Sequence, residues 1–128
     1  MRRHAVLLAV TFSLAASQSL HAEGDAAAGQ RVFNQCRACH VIENNGKNGI
    51  GPNLHGVVGR RAASIEGFRY SANMKELGEA GHTWSEEQLR AYLANPKAVV
   101  PRGIMSFPGL RNPQQVEDVI AYLKSQAG

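Results

Sequence analysis

The sequence predicts an all-α fold of four to five short helices joined by long Gly/Pro loops. Three observations carry this reading. Helix start and stop signals recur along the chain, and no run of residues reads as a strand or as part of a βαβ unit. The 13 Gly and 5 Pro interrupt the stretches between the helical segments. With 128 residues, 44% of them hydrophobic, the chain is ordinary single-domain material.

The domain is not expected to begin at Met1. Met1-Arg2-Arg3-His4 is a short basic start, Ala5 to Ala16 is apolar, and Leu20-His21-Ala22 places a small residue before the polar Glu23-Gly24-Asp25. This layout predicts a secretory signal peptide over 1–22, with an apolar part too short to span a bilayer. Leu20 is bulkier than the residue usual at that point, and the alternative is a retained amphipathic helix or anchor. The working domain is then 23–128, in the periplasm. Of the 14 Lys+Arg, Arg2 and Arg3 belong to the leader, so the remainder exceed the 10 Asp+Glu by only two. No run of five or more like charges occurs, which argues against nucleic acid as a partner.

Within the domain, Asp25 is a good N-cap, and Ala26 to Gln35 follows as a short helix with Val32 and Phe33 on its apolar side. Glu43 to Asn53 is crowded with Gly and Asn and reads as a loop; one this long in a small domain serves a function or wraps something. Ser71 can cap a short helix through Leu77. Ser85 with Gln88 forms a capping box, and Leu89, Tyr92 and Leu93 share one face before Pro96 ends the helix. Ala98 to Gly109 reads as irregular. Asn112 caps the last helix, Pro113 takes its first position, and Val116, Val119, Ile120 and Leu123 make its buried stripe. These elements give a thin apolar core for their length, so something else should fill the centre.

The stretch Cys36-Arg37-Ala38-Cys39-His40 suggests what that is. Two thiols two residues apart, with an imidazole directly after the second, are the attachment pattern of a c-type haem. Each thiol adds across one vinyl group, and the His that follows is held beneath the iron. Other meanings of two such cysteines in an oxidising compartment are a redox disulfide and half of a zinc site. A thiol oxidoreductase of the thioredoxin type needs alternating strands and helices. A zinc site needs a second ligand pair, which His4, His21, His55 and His82 do not supply at matching spacing. Haem fits the thin core as well.

A carrier haem fills both axial positions, whereas a catalytic haem keeps one open. Distal candidates are Met74, Met105, His55 and His82. Met105 stands out because Pro101 to Gly109 is an irregular strap able to present a thioether, although a lone Met is by composition more often a core filler. His55 and His82 read as surface residues, and Met74 as packing on a short helix.

Over essentially the whole domain the chain resembles the class I cytochromes c, the small bacterial periplasmic and mitochondrial type. The resemblance rests on Cys36-Arg37-Ala38-Cys39-His40, Gly51-Pro52-Asn53-Leu54-His55-Gly56, Gly59-Arg60, Gly67-Phe68-Arg69-Tyr70-Ser71, Thr83-Trp84, Tyr92 to Pro96, Met105-Ser106-Phe107 and Ile120-Ala121-Tyr122-Leu123, in that order. It implies the cytochrome c fold around one haem, attached through Cys36 and Cys39, with His40 as proximal and Met105 as distal ligand. It implies further that the Pro52 carbonyl accepts a hydrogen bond from the proximal imidazole and that Tyr70 and Trp84 bond a buried propionate with Arg60 nearby. Tyr92 would approach the ligand sulfur, and Gly29, Phe33 and Tyr122 would mark the crossing of the first and last helices. Read without the resemblance, Tyr92 and Trp84 are aromatic core.

The chain departs from the family pattern in three places. Gly103 stands where many members have a threonine that bonds a propionate, and Ile104 and Gln35 occupy positions that are often lysine. The basic ring around the haem edge is thinned to Lys47, Lys97, Arg102 and Arg111, so docking to acidic partners should be less steered by charge and less salt-sensitive. The function implied is that of a soluble monomeric electron carrier, not an enzyme. Its partners would be membrane redox complexes (a quinol-oxidising complex, a terminal oxidase or a photosynthetic reaction centre) or a periplasmic dehydrogenase. The alternative is a haem enzyme or a gas or peroxide sensor with Met105 displaced; it lacks a distal acid–base pair near Met105.

Overall fold

Local capping decides where the helices begin. In the computed structural model, which describes Ser13 and residues 23–127, five helices follow in order. The predicted leader lies outside the described residues apart from Ser13. α1 spans Ala26–Phe33, and Asp25 Oδ1 accepts from the amides of Ala27 at 2.8 Å and Ala28 at 3.2 Å. α2 spans Ala72–Glu79 behind Ser71, α3 spans Glu86–Ala94 behind Ser85, and α5 spans Pro113–Ser125 behind Asn112. Each of these three caps accepts an amide of the first turn through its side-chain oxygen, as the residue types at those positions predict.

Two expectations need correcting. The first helix stops at Phe33, and the chain tightens into i→i+3 turns, with Gln35 N donating to Val32 O and Cys36 N to Phe33 O. Pro96 does close α3, but it also opens a fourth helix, α4 (Pro96–Val99), inside what reads as partly irregular chain. Proline lacks the amide that a first turn would leave unpaired anyway, so one residue serves as terminator and initiator.

The core forms where α1 crosses α5. A Cβ on Gly29 would run into the Asp118 carbonyl of α5, so only glycine allows this approach. Next to it Phe33 and Tyr122 pack with ring centroids 5.3 Å apart. Val116, Val119, Ile120 and Leu123 are all buried, and Leu89 of α3 joins them. Arg90 of α3 grips Glu117 of α5 through both carboxylate oxygens. The long loops are laced by backbone bonds: Gly59 N to Trp84 O at 2.7 Å, Trp84 N to Arg60 O at 2.8 Å and Ala62 N to His82 O at 2.9 Å. An isolated bridge, Arg61 with Thr83, is the nearest approach to a sheet among the described residues. No described helix is long and apolar enough to cross a membrane.

Candidate haem site

The residues after α1 form one further helical turn, with His40 N and Cys39 N both donating to Cys36 O. That turn places Cys36 and Cys39 three residues apart on one side, and both thiols are free and half-buried. Burial, reinforced by the neighbouring Cys39, pushes the Cys36 thiol up from its ordinary pKa.

His40 is fixed by the loop that follows it. Its Nδ1 lies 2.7 Å from the Pro52 carbonyl oxygen, which makes Nδ1 the protonated nitrogen and leaves the Nε2 lone pair free. Burial lowers the imidazole pKa, and the Pro52 bond, which favours the charged ring, only partly opposes it; the Arg60 charge lowers it further. The ring is therefore a neutral donor at ordinary pH. Gly51 packs flat on it: a Cβ there would fall 2.7 Å from Nδ1 and 2.8 Å from Nε2.

Behind Pro52 stands Asn53, which sequence reading passed over as one member of a motif. It is 7% exposed and ties the loop to itself. Its Nδ2 donates to the carbonyls of Glu43 and Lys47, both at 2.9 Å, and its Oδ1 accepts from His55 N at 2.8 Å. Arg60 adds two bonds to the same turn, to Asn53 O at 2.9 Å and His55 O at 3.3 Å. Burial lowers the Arg60 pKa, and the neighbouring Tyr70 opposes the shift. The Tyr70 hydroxyl itself accepts from Ile65 N at 3.1 Å.

Tyr92 belongs to α3. Its hydroxyl is 3.9 Å from Met105 Sδ, a donor–thioether contact, and burial raises its pKa. Its ring lies 4.8 Å from that of Trp84. The strap carrying Met105 has no helix or strand of its own. The structure thus groups Cys36, Cys39, His40, Pro52, Arg60 and Tyr70 around the loop after α1, and Trp84, Tyr92 and Met105 around α3. Both groups are backed by one apolar cluster, on which Val32, Leu54, Met74 and Phe107 are only partly covered.

The two histidines read as surface residues are not simply that. Both are half-buried, and the Nε2 of each is buried with no hydrogen-bond partner. His82 stands edge-on to Trp84 at 4.7 Å. Buried orphan nitrogens, half-covered apolar side chains and a neutral imidazole with its lone pair free suit a site built for an apolar group that carries polar substituents.

The sequence comparisons agree with this geometry. Residues 26–127 match the family model described as Cytochrome c. Cytochrome c2 of Rhodomicrobium vannielii is 49% identical over 112 residues, covering 88% of this chain and 87% of the relative. Cytochrome c-554 of Methylosinus trichosporium is 46% identical over 119 residues, covering 93% and 86%. Among solved structures, cytochrome c2 of Rhodospirillum centenum superposes with a TM-score of 0.77 at 38% identity, over 82% of this chain and 100% of that one. Cytochrome cH of Methylobacterium extorquens gives 0.72 at 47% identity, over 80% and 99%. The half-buried thiol pair, the neutral imidazole beside it and a family match over nearly the whole described domain lead to one conclusion: the chain belongs to the cytochrome c family, with haem c as its cofactor and Cys36 and Cys39 as the attachment thiols.

Proposed function

We propose that the protein is an exported one-electron carrier, not an enzyme, in which His40 and Met105 both stay on the iron throughout the cycle. The observation that carries this is a pair of donors, each oriented by a neighbour: His40 Nε2, left free by the Nδ1–Pro52 bond, and Met105 Sδ, met by the Tyr92 hydroxyl. Haem, when bound, supplies the Fe(III)/Fe(II) couple. The chain's own residues do the rest. The Pro52 carbonyl fixes the tautomer and raises the donor strength of His40. The thioether of Met105 favours the reduced state and so raises the reduction potential. Arg60, anchored to two carbonyls and partly buried, offers fixed positive charge for a propionate beside Tyr70 and Trp84.

In this reading residues 1–22 are a cleaved signal peptide, and 23–128 work in the periplasm as a monomer, without nucleic acid and without stable membrane insertion. The cytochrome c2 relatives support a place between membrane redox complexes: a quinol-oxidising complex or periplasmic dehydrogenase as donor, and a terminal oxidase or photosynthetic reaction centre as acceptor. The optical spectrum of the purified protein tests the ligation. The oxidised form should show the weak Fe–S(Met) charge-transfer band, and the reduced form should bind carbon monoxide poorly. Met105→Ala should abolish the band and admit carbon monoxide. Rapid binding by the unmodified protein, with no band, would instead favour the open-site enzyme or sensor.

A further inference from the structure

The strap that presents Met105 carries one backbone bond of its own ahead of the thioether, from Gly103 N to Val100 O at 3.0 Å. Gly103 offers no side chain, and a Cβ there would lie 3.1 Å from Val100 Cγ1 and 3.2 Å from the Val100 carbonyl oxygen. The backbone therefore sits flush on Val100, and a side chain at 103 would press the strap outward. Further contacts reach it from two helices. From α2, Asn73 Oδ1 accepts from the Arg102 amide at 3.0 Å, and the Glu76 carboxylate accepts from the Arg102 guanidinium at 2.8 Å. From α4, the Lys97 ammonium donates to the Gly103 carbonyl at 2.6 Å. Three contacts from two helices thus converge on two consecutive residues, just ahead of the thioether.

We propose that Asn73, Glu76 and Lys97 form a clamp that positions Met105, so that release of the distal ligand is decided at the surface of α2 and α4 and not in the core. The inference rests on Met105 being that ligand. The three are positioning residues, because they act through Arg102 and Gly103. Their contacts face water: the Arg102 and Glu76 side chains are 70% and 59% exposed. An exposed ion pair contributes little and is screened by salt. The Asn73 contact joins a neutral side chain to the backbone and is not screened. The clamp thus closes the strap by a small margin, one part of which depends on ionic strength.

Titrating the oxidised holoprotein with imidazole tests this, with loss of the Fe–S(Met) band as signal and the reduction potential measured on the same samples. Glu76→Gln, Asn73→Ala and Lys97→Gln should each tighten apparent imidazole binding roughly two- to fivefold. Each should also lower the potential. Raising the salt should bring the unmodified protein toward Glu76→Gln, whereas Asn73→Ala should keep its difference. Imidazole affinities equal to those of the unmodified protein, with the band intact, would overturn the clamp and leave Met105 as ligand. A lowered denaturation midpoint with unchanged imidazole affinity would overturn it too, since that is all a purely structural contact would give. An unmodified protein without the band would remove both the ligand and the clamp.

Discussion

In the loop that follows His40 one buried side chain, Asn53, gathers the backbone, whereas the strap ahead of Met105 is held by exposed contacts. On the His40 side, the buried Asn53 side chain closes the loop through part-buried bonds, Pro52 fixes the imidazole, and Gly51 lets the backbone lie against the ring. On the Met105 side the counterpart contacts come from Asn73, Glu76 and Lys97, and the ion pair among them is mostly exposed. Buried bonds are costly to break because their partners are left without water; exposed ones exchange with water at little cost. The two proposed ligands should therefore differ in how firmly the chain holds them: His40 as part of the fold, Met105 as an attachment to it.

Substitutions can break this contrast in order of expected size. Gly51→Ala drives a methyl group into the His40 ring, and the backbone cannot yield easily, because Gly51 N is bonded to Cys39 O at 2.8 Å. A loss of about 3 kcal/mol in the denaturant unfolding of the holoprotein is expected. Asn53→Ala strands the Glu43 and Lys47 carbonyls and the His55 amide; it should cost about 2–3 kcal/mol, and Asn53→Asp should not restore it, because a carboxylate cannot donate. A third region serves as control. Asp118 accepts from the Asp25 amide at 2.9 Å and from Gln114 Nε2 at 3.0 Å; the Asp25 bond first, then Gln114, holds its carboxyl below the usual range. Its contribution is full above the ordinary carboxylate pKa and is lost as pH falls through the lowered one. Asp118→Asn should cost about 1 kcal/mol near neutral pH, a difference that narrows in acid, with both proposed ligands unaffected. Effects on overall stability below that, as expected for Glu76→Gln, would complete the ranking.

Much of this arrangement is legible in the sequence because it is local. Asp25, Ser71, Ser85 and Asn112 mark the helix starts, since a cap needs only its own first turn. The Cys36–His40 turn is equally local. α4 was hidden because Pro96 reads first as a terminator. The partial burial of His55 and His82 depends on packing across the chain, as does the clasp by Asn53. The grip on the strap joins Arg102 to α2 residues far away in sequence, and no spacing or periodicity reports such a pair.

One titration addresses the contrast most directly. The chain has a single tryptophan, Trp84, buried beside Tyr92, so its fluorescence follows global unfolding, while the Fe–S(Met) band follows the Met105 strap. Both signals are read on the oxidised holoprotein across a urea series, at low and at high salt. The expected result is a band that fades at clearly lower denaturant than the rise in Trp84 fluorescence, with high salt widening the gap. Coincident transitions at every ionic strength would mean that Met105 is held as firmly as His40, and would contradict the account.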